Sequence, residues 1–200
     1  MFNCDDILKR AWDSYEEENY VDAFDNFNSI SGRKPIVLHH IGLMYYKGLG
    51  TKINHKKAKE FFIKSTELGI KEGFFYLGRY EILHGNKTKG FNDLVKAAKL
   101  ESLPAYQFLG AYYDGGHIKE KNVKKSLYYL NLGMKLEHAY CTKFLGQKFI
   151  NNSNGFFSKI CGYYLLLRSA WIIIRYGTRT PMDPRVDIGA LTREEDKLIN

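Results

Sequence analysis

The chain has 200 residues, a formal net charge of +8 and a pI near 9.2. Its 44% hydrophobic and 15% aromatic residues exclude a disordered chain, and its four prolines favour helices. Cys4, Cys141 and Cys161 are too few and too irregularly spaced for a disulfide framework, so we expect free thiols and a reducing compartment.

The first predicted element is a pair of helices between Asp5 and Ile30, and we assign residues 1–34 as an N-terminal capping helix pair. The start of the chain, MFNCDD, carries two acids where a signal peptide needs basic residues, and no apolar run follows. We therefore expect a cytoplasmic protein. The apolar stripe of the pair is Ala11, Tyr15, Tyr20, Ala23, Phe24 and Phe27.

A repeated pattern follows, in which an aliphatic residue is paired with glycine. The four pairs are Ile41-Gly42, Leu77-Gly78, Leu109-Gly110 and Leu145-Gly146, so successive glycines are 36, 32 and 36 residues apart. An aromatic stands four residues after the aliphatic in three copies, at Tyr45, Tyr113 and Phe149, whereas the second copy has Glu81. A fixed period in the thirties predicts a stacked array of helix pairs.

The register predicts two helices in each repeat. In the first repeat, Gly48 and Gly50 permit a turn and Asn54 caps the second helix. The second repeat has a contracted turn at HGNKTKGFN. We assign the array to residues 35–177, with repeats at about 36–72, 73–104, 105–140 and 141–177. Residues 178–200 are a polar C-terminal tail, in which a TREE capping box predicts a short helix at Thr192–Ile199.

These residues resemble the Sel-one-like repeat (SLR) family, a relative of the tetratricopeptide repeat. The first repeat is the closest match, with V-x(3)-I-G-x(2)-Y-x(2)-G-x-G followed by Asn54, Lys57-Ala58, Phe61-Phe62, Ser65-Thr66 and Gly69. The second repeat departs most, and the segment before the array resembles a tetratricopeptide half-match. The resemblance implies an all-α solenoid (superhelix) of stacked antiparallel helix pairs.

One apolar run, Cys161 to Ile174, is 14 residues long and contains Arg168. A membrane span needs about 20 apolar residues. We therefore predict a buried or capping helix and no transmembrane segment. The sequence leaves open whether this helix is buried within the chain or pairs with another one, and it does not fix the oligomeric state.

The sequence offers no pattern for catalysis, metal binding or a cofactor. The six histidines form no HExxH and no ligand cluster, and nucleotide-binding glycine motifs are absent. Cys141 and Cys161 are interpreted as buried, inert thiols, and Tyr45, Tyr113 and Tyr129 as core residues. We expect no enzyme, no metal and no cofactor.

The first helix of each repeat lines the concave face in tetratricopeptide-like arrays, and the register predicts which side chains there are free to bind. The resemblance implies a protein-binding adaptor with one partner, and in a sharper form an immunity protein that neutralises a toxin. The Asn-, Lys-, Ile- and Tyr-rich composition indicates a bacterial source. The alternative is a basic regulator that binds nucleic acid or an anionic surface. The predicted partner-binding residues are His39, Tyr46, Lys47, Phe75, Arg79, Gln107, Asp114, Lys143 and Gln147.

Overall fold

A computed structural model describes residues 3–116, 120–152 and 155–176 of the chain. These residues form ten α-helices and no strand, so the predicted all-α class is confirmed. A 3-10 turn, Pro35–Val37, precedes α3. The helices in chain order are α1 (Cys4–Glu16), α2 (Tyr20–Ile30), α3 (Leu38–Lys47), α4 (His55–Glu67), α5 (Lys71–His84), α6 (Lys87–Lys99), α7 (Leu103–Gly115), α8 (Val123–Lys135), α9 (Ala139–Asn152) and α10 (Phe156–Tyr176).

The helices belong to two compact units, Met1–Ala97 and Ala98–Asn200. In unit 1, α1 packs on α2 and α3 on α4, while α5 contacts both α3 and α4. In unit 2, α7 packs on α8, α8 on α9 and α9 on α10. The connections within pairs are short, which makes consecutive helices antiparallel neighbours. The predicted repeat boundaries stay predictions, and the predicted tail with its short helix lies outside the described residues.

The first and third repeats close their turns in the same way. Gly48 ends α3 with φ +74°, and Gly116 ends α7 with φ +70°, a conformation that glycine adopts without steric cost. Asn54 and Asn122 then cap the second helices, each accepting a 3.0 Å hydrogen bond from a lysine backbone N–H. The predicted turn and cap are therefore correct in the first repeat.

The glycine of each repeated pair lets the two helices of a repeat approach closely. A Cβ built on Gly42 would lie 2.6 Å from the Phe62 ring, and one on Gly110 would lie 2.6 Å from Leu130. In the fourth repeat a Cβ on Gly146 would lie 2.9 Å from the carbonyl oxygen of Gly162. Real side chains do not approach this closely, so the pattern found in the sequence marks contacts between paired helices.

The N-terminal pair packs on α3 through one apolar cluster. The edge of the Trp12 ring meets Phe27 at 4.9 Å between centroids and His40 at 4.6 Å. Burial among these rings lowers the pKa of His40 to about 3. Fully buried members of the cluster are Ala11, Ala23, Phe27, Ile30, Val37, Ile41 and Met44.

The apolar run near the C-terminus is mostly exposed. Of the two predicted alternatives, a buried helix is therefore wrong, whereas a capping helix stays a prediction. The run belongs to α10, whose buried residues are Gly162, Ser169 and Ile172, on the side that faces α9. Cys161 is exposed, contrary to prediction, because it lies one residue and thus about 100° from the Gly162 side of the helix. Cys141 is buried as predicted.

By length and composition, α10 is the one helix among the described residues that could cross a membrane. Only 22% of its most apolar window is buried. Exposure of an apolar helix is unusual for a terminal repeat, whose outer side is normally polar. The expectation that the chain has no transmembrane segment therefore stays a prediction.

Candidate binding surface

Aromatic and histidine side chains from three helices meet on one face of unit 1. The Tyr46 hydroxyl and His84 Nε2 are 3.0 Å apart, which joins the end of α3 to the end of α5. The ring centroids of His55 and Tyr46 are 5.0 Å apart, and those of Tyr80 and His84 are 5.1 Å apart. We call these four residues the Tyr46 cluster. His55 and His84 are exposed and the two tyrosines half-buried, so the cluster is open to a partner.

The turn after α3 positions two members of the cluster. The backbone N–H of Gly48 bonds to the Met44 carbonyl, and that of Asn54 returns to the Tyr45 carbonyl at 2.9 Å. This closed turn places His55, the first residue of α4, beside the last turn of α3. The turn also packs on the start of α2, because a Cβ on Gly50 would collide with the Tyr20 backbone carbonyl.

A buried carboxylate, Glu81, lies next to the cluster. Its Oε1 is 3.0 Å from Lys59 Nζ on α4 and 3.3 Å from Lys89 Nζ on α6. Its Oε2 accepts a 3.4 Å hydrogen bond from the backbone N–H of Asn86. Burial alone would raise the pKa of Glu81, but the bonds from Lys59, Asn86 and Lys89 lower it below its ordinary value.

The contracted turn of the second repeat explains why a glutamate stands in the aromatic position. Between α5 and α6 only Gly85 and Asn86 intervene, so the start of α6 approaches the Glu81 carboxylate. A Cβ on Gly85 would collide with that carboxylate. Glu81 thus connects α4, α5 and α6 through hydrogen bonds and ion pairs. In the first and third repeats the corresponding residues, Tyr45 and Tyr113, pack between helices instead.

Four of the nine predicted binding residues are buried: His39, Phe75, Arg79 and Gln107. The Arg79 guanidinium stacks over the Phe75 ring at 5.3 Å, so these two contact each other. Burial and the neighbouring His40 hold the pKa of His39 well below its usual range, which keeps the imidazole neutral. Contact with a partner through these four side chains would require the helices to move apart.

The other five predicted residues are accessible. Tyr46 and Lys47 are half-buried at the end of α3, and Asp114 is half-buried at the end of α7. Lys143 and Gln147 are exposed on α9, one helical turn apart. In unit 2 the Asp114 carboxylate pairs with Lys148 of α9, so α7 and α9 share one face there.

The sequence analysis missed His55, Tyr80, His84 and Lys148. Their signal is visible in the repeat spacing, since contacts between first helices join residues about one period apart. Tyr46 and His84 are 38 residues apart, and Asp114 and Lys148 are 34 apart. Matching polar and aromatic residues at separations near 36 would have included both contacts among its candidate pairs, but it would not have shown which of those pairs touch.

Within residues 3–116, 120–152 and 155–176, no group of three His, Cys, Asp or Glu side chains could hold a metal ion. The most buried histidine, His138, has a structural role. Its Nδ1 accepts a 3.3 Å hydrogen bond from the Cys141 backbone N–H at the start of α9, and burial lowers its pKa to about 4. Burial also raises the pKa of the Cys141 thiol, which leaves it protonated and unreactive.

Comparison with protein-family models gives no match, and comparison with curated proteins gives none either. Solved structures do match. A Sel1 repeat protein from Oxalobacter formigenes is 17% identical with a TM-score of 0.71, over 98% of this chain and 85% of that one. The protective antigen c5321 of uropathogenic Escherichia coli strains, which displays an SLR fold, is 18% identical with a TM-score of 0.68.

The second match covers 84% of this chain but 38% of c5321, so the chain spans well under half of that protein's length. At these identities the similarity concerns the fold. Both matched proteins are built from the repeat whose pattern the sequence carries, and both superpose over most of the described helices. The chain therefore has the all-α solenoid fold of the Sel1-like repeat proteins.

Proposed function

We propose that this protein is a non-enzymatic protein-interaction module that binds one partner protein on the face formed in unit 1 by the first helices α3 and α5. The fold supports this, because stacked helical repeats present extended surfaces that are used for binding. The observation that carries the proposal is the Tyr46 cluster, in which two tyrosines and two histidines are held in fixed contact yet remain accessible.

The chemistry of the cluster suits a protein partner. Tyrosine is enriched at the energetic centres of interfaces because it combines a large apolar ring with a hydroxyl. The Tyr46–His84 contact fixes both rings before binding, which reduces the entropy lost on association. In unit 2, Lys143 and Gln147 are exposed on α9 and remain predicted binding residues.

A finer proposal is that the protein is a bacterial, cytoplasmic immunity protein that neutralises a toxin. It rests on the resemblance of these repeats to those found beside toxin genes and on an Asn-, Lys-, Ile- and Tyr-rich composition typical of an AT-rich bacterial genome. Co-expression with a toxin encoded next to it would restore growth if the proposal is correct. Equal killing with and without this protein would contradict it.

The binding proposal is tested by capturing proteins from a native lysate with wild-type protein and with a Tyr46→Ala, His84→Ala double variant. We expect the wild type to retain one stoichiometric protein and the double variant to bind it about tenfold or more weakly. Tyr128→Ala is the matched control, because Tyr128 is an exposed tyrosine on a second helix, α8. Equal binding by all three would exclude the Tyr46 cluster as the binding site.

A further inference from the structure

The outer side of α10 carries a continuous stripe of apolar side chains. The stripe follows helical spacing over 18 residues, or roughly 27 Å along the axis. Leu167 near its middle is 72% exposed, and Trp171 is 50% exposed. An exposed patch of this size marks a surface that is covered when the protein works. The exposed residues of the stripe are Phe156, Ile160, Tyr163, Tyr164, Leu167, Trp171 and Ile174.

Cations flank the stripe, and α9 and α10 contain no acid, although the Glu137 carboxylate before α9 accepts a hydrogen bond from the Tyr176 hydroxyl at the end of α10. Lys159 lies on one side and Arg168 and Arg175 on the other, and the Arg175 guanidinium stacks over the Trp171 ring at 4.9 Å. Between residues 139 and 176 the sequence contains five Lys or Arg residues and no Asp or Glu. A cover for this face therefore has to supply both apolar contact and negative charge.

A second copy of the chain could supply either apolar contact or negative charge to this face, but not both at once. If α10 packed on α10 of another copy, the apolar stripes would be buried, but cations would face cations. The α1–α2 pair of another copy would supply charge, because residues 1–30 contain eight acids and two cations. The exposed residues of α1 are mostly polar, however, so the stripe would gain no apolar partner.

An anionic phospholipid surface supplies both the apolar contact and the negative charge. Acyl chains and glycerol backbones accept aliphatic and aromatic side chains at the boundary, and lipid phosphates attract lysine and arginine. Trp and Tyr also concentrate at this boundary. Nucleic acid would match the charge but would offer no apolar contact to Ile160 and Leu167.

The helix fits an orientation parallel to the membrane better than one across it. Arg168 lies near its middle, where a spanning helix would place a charge at the bilayer centre. The inner side of α10 is held against α9 at Gly162, where a Cβ would lie 2.8 Å from the Gly146 carbonyl oxygen. Spanning would require α10 to leave this close contact, whereas binding in the interface leaves it intact.

We propose that the outer face of α10 docks on anionic phospholipid membranes, with the apolar stripe in the interfacial region and Lys159, Arg168 and Arg175 beside the lipid phosphates. This inference is independent of the proposed protein-binding function, because α10 lies outside the Tyr46 cluster.

The test uses the fluorescence of Trp171 in the full chain. The chain has two tryptophans, so Trp12→Phe leaves Trp171 as the reporter, and Trp171→Phe leaves Trp12 as the control. Vesicles of phosphatidylcholine and phosphatidylglycerol in equal parts should shift Trp171 emission to shorter wavelength and leave Trp12 emission unchanged. Pure phosphatidylcholine vesicles should give a much smaller shift, and added salt should weaken the binding.

Two substitutions separate the apolar and the charge contributions. Leu167→Glu should weaken vesicle binding about tenfold or more, whereas Leu68→Glu, at an exposed leucine after α4, should not. Lys159→Glu with Arg168→Glu should also abolish binding, with Lys121→Glu and Lys124→Glu as the charge-matched control. Because all these side chains are at least partly exposed, circular dichroism should show unchanged helix content in each variant.

Three results would overturn the proposal. The first is no binding of wild-type protein to the anionic vesicles. The second is a dimer that Leu167→Glu separates, without vesicle binding, which would make a second copy the occupant. The third is binding to duplex DNA that the charge reversal removes and Leu167→Glu leaves unchanged, again without vesicle binding.

Discussion

At the scale of single residues, three glutamates hold a backbone conformation that glycine usually occupies. Glu18, Glu101 and Glu137 have φ near +60°, each between two helices. Glu101 and Glu137 occupy the same connection as Gly69, which has φ +71° between α4 and α5. A side chain in this left-handed region costs roughly 1 kcal/mol, so these positions are locally strained.

We expect Glu18→Gly to raise the free energy of unfolding by about 0.5 kcal/mol, because removing the Cβ clash gains roughly 1 kcal/mol and the extra chain entropy of glycine offsets part of it. Glu17→Gly is the matched control, because Glu17 has φ −77° and gains nothing from glycine. That control should lower stability by about 0.5 kcal/mol or more. Urea unfolding measures both. A gain for Glu17→Gly and none for Glu18→Gly would contradict the assigned backbone.

The buried histidines make stability depend on pH. His138 has a folded-state pKa of about 4 against 6.5 in an exposed histidine, so the unfolded chain binds its proton first as the pH falls. The contribution of neutral His138 to the free energy of unfolding is fully present above pH 6.5. It falls by up to roughly 3 kcal/mol as the pH is lowered towards 4. His138→Asn keeps a cap acceptor without this titration and should flatten the slope. His40 contributes in the same direction, so some slope should remain.

At the scale of elements, the Glu81 carboxylate connects three helices in unit 1. Glu81→Gln keeps the shape but removes the charge that holds Lys59 and Lys89. We expect a loss of about 2 kcal/mol in the free energy of unfolding, because the carboxylate is buried while the lysines are partly exposed. Glu60→Gln, at an exposed position on α4, should change stability by less than about 0.5 kcal/mol. Similar effects from the two substitutions would contradict the assigned role of Glu81.

The repeat glycines give a second prediction at this scale. A Cβ at Gly78 would lie 2.8 Å from the Gly90 carbonyl oxygen on α6, whereas one at Gly110 would meet the Leu130 side chain. Backbone cannot yield as a leucine side chain can, so Gly78→Ala should cost about 2 kcal/mol. Gly110→Ala should cost less, because the Leu130 side chain can move away while alanine's higher helix propensity contributes about 1 kcal/mol at both positions. Thermal unfolding of both variants checks this order, and the reverse order would contradict it.

At the scale of the whole molecule, the repeat pattern was sufficient to predict the fold. Each glycine pair marks a close contact between helices, and each Asn cap marks the end of a turn. Local residues therefore predict where each helix begins and which helices pair. The predicted binding residues were less accurate than the fold, because the repeat register shows which helix a residue belongs to but not whether its side chain is buried. Phe75 and Arg79 illustrate this, since they are buried against each other.

Two further features were beyond the reach of sequence periodicity. An apolar helix has the same composition whether its outer face is covered or exposed. The exposure of α10 could therefore not be inferred from its composition. Contacts between first helices, such as Tyr46 with His84, join repeats rather than residues within one repeat. They depend on how neighbouring pairs stack, which the sequence of one repeat does not encode.

The central claim is that a partner protein binds the first-helix face. Hydrogen–deuterium exchange of the protein with and without its captured partner tests this most directly, because backbone N–H groups under an interface exchange more slowly. We predict slower exchange at the end of α3, the Gly48–Asn54 turn and the end of α5, with α8 unchanged. Slower exchange confined to α8 or α10, or no change anywhere, would contradict the claim.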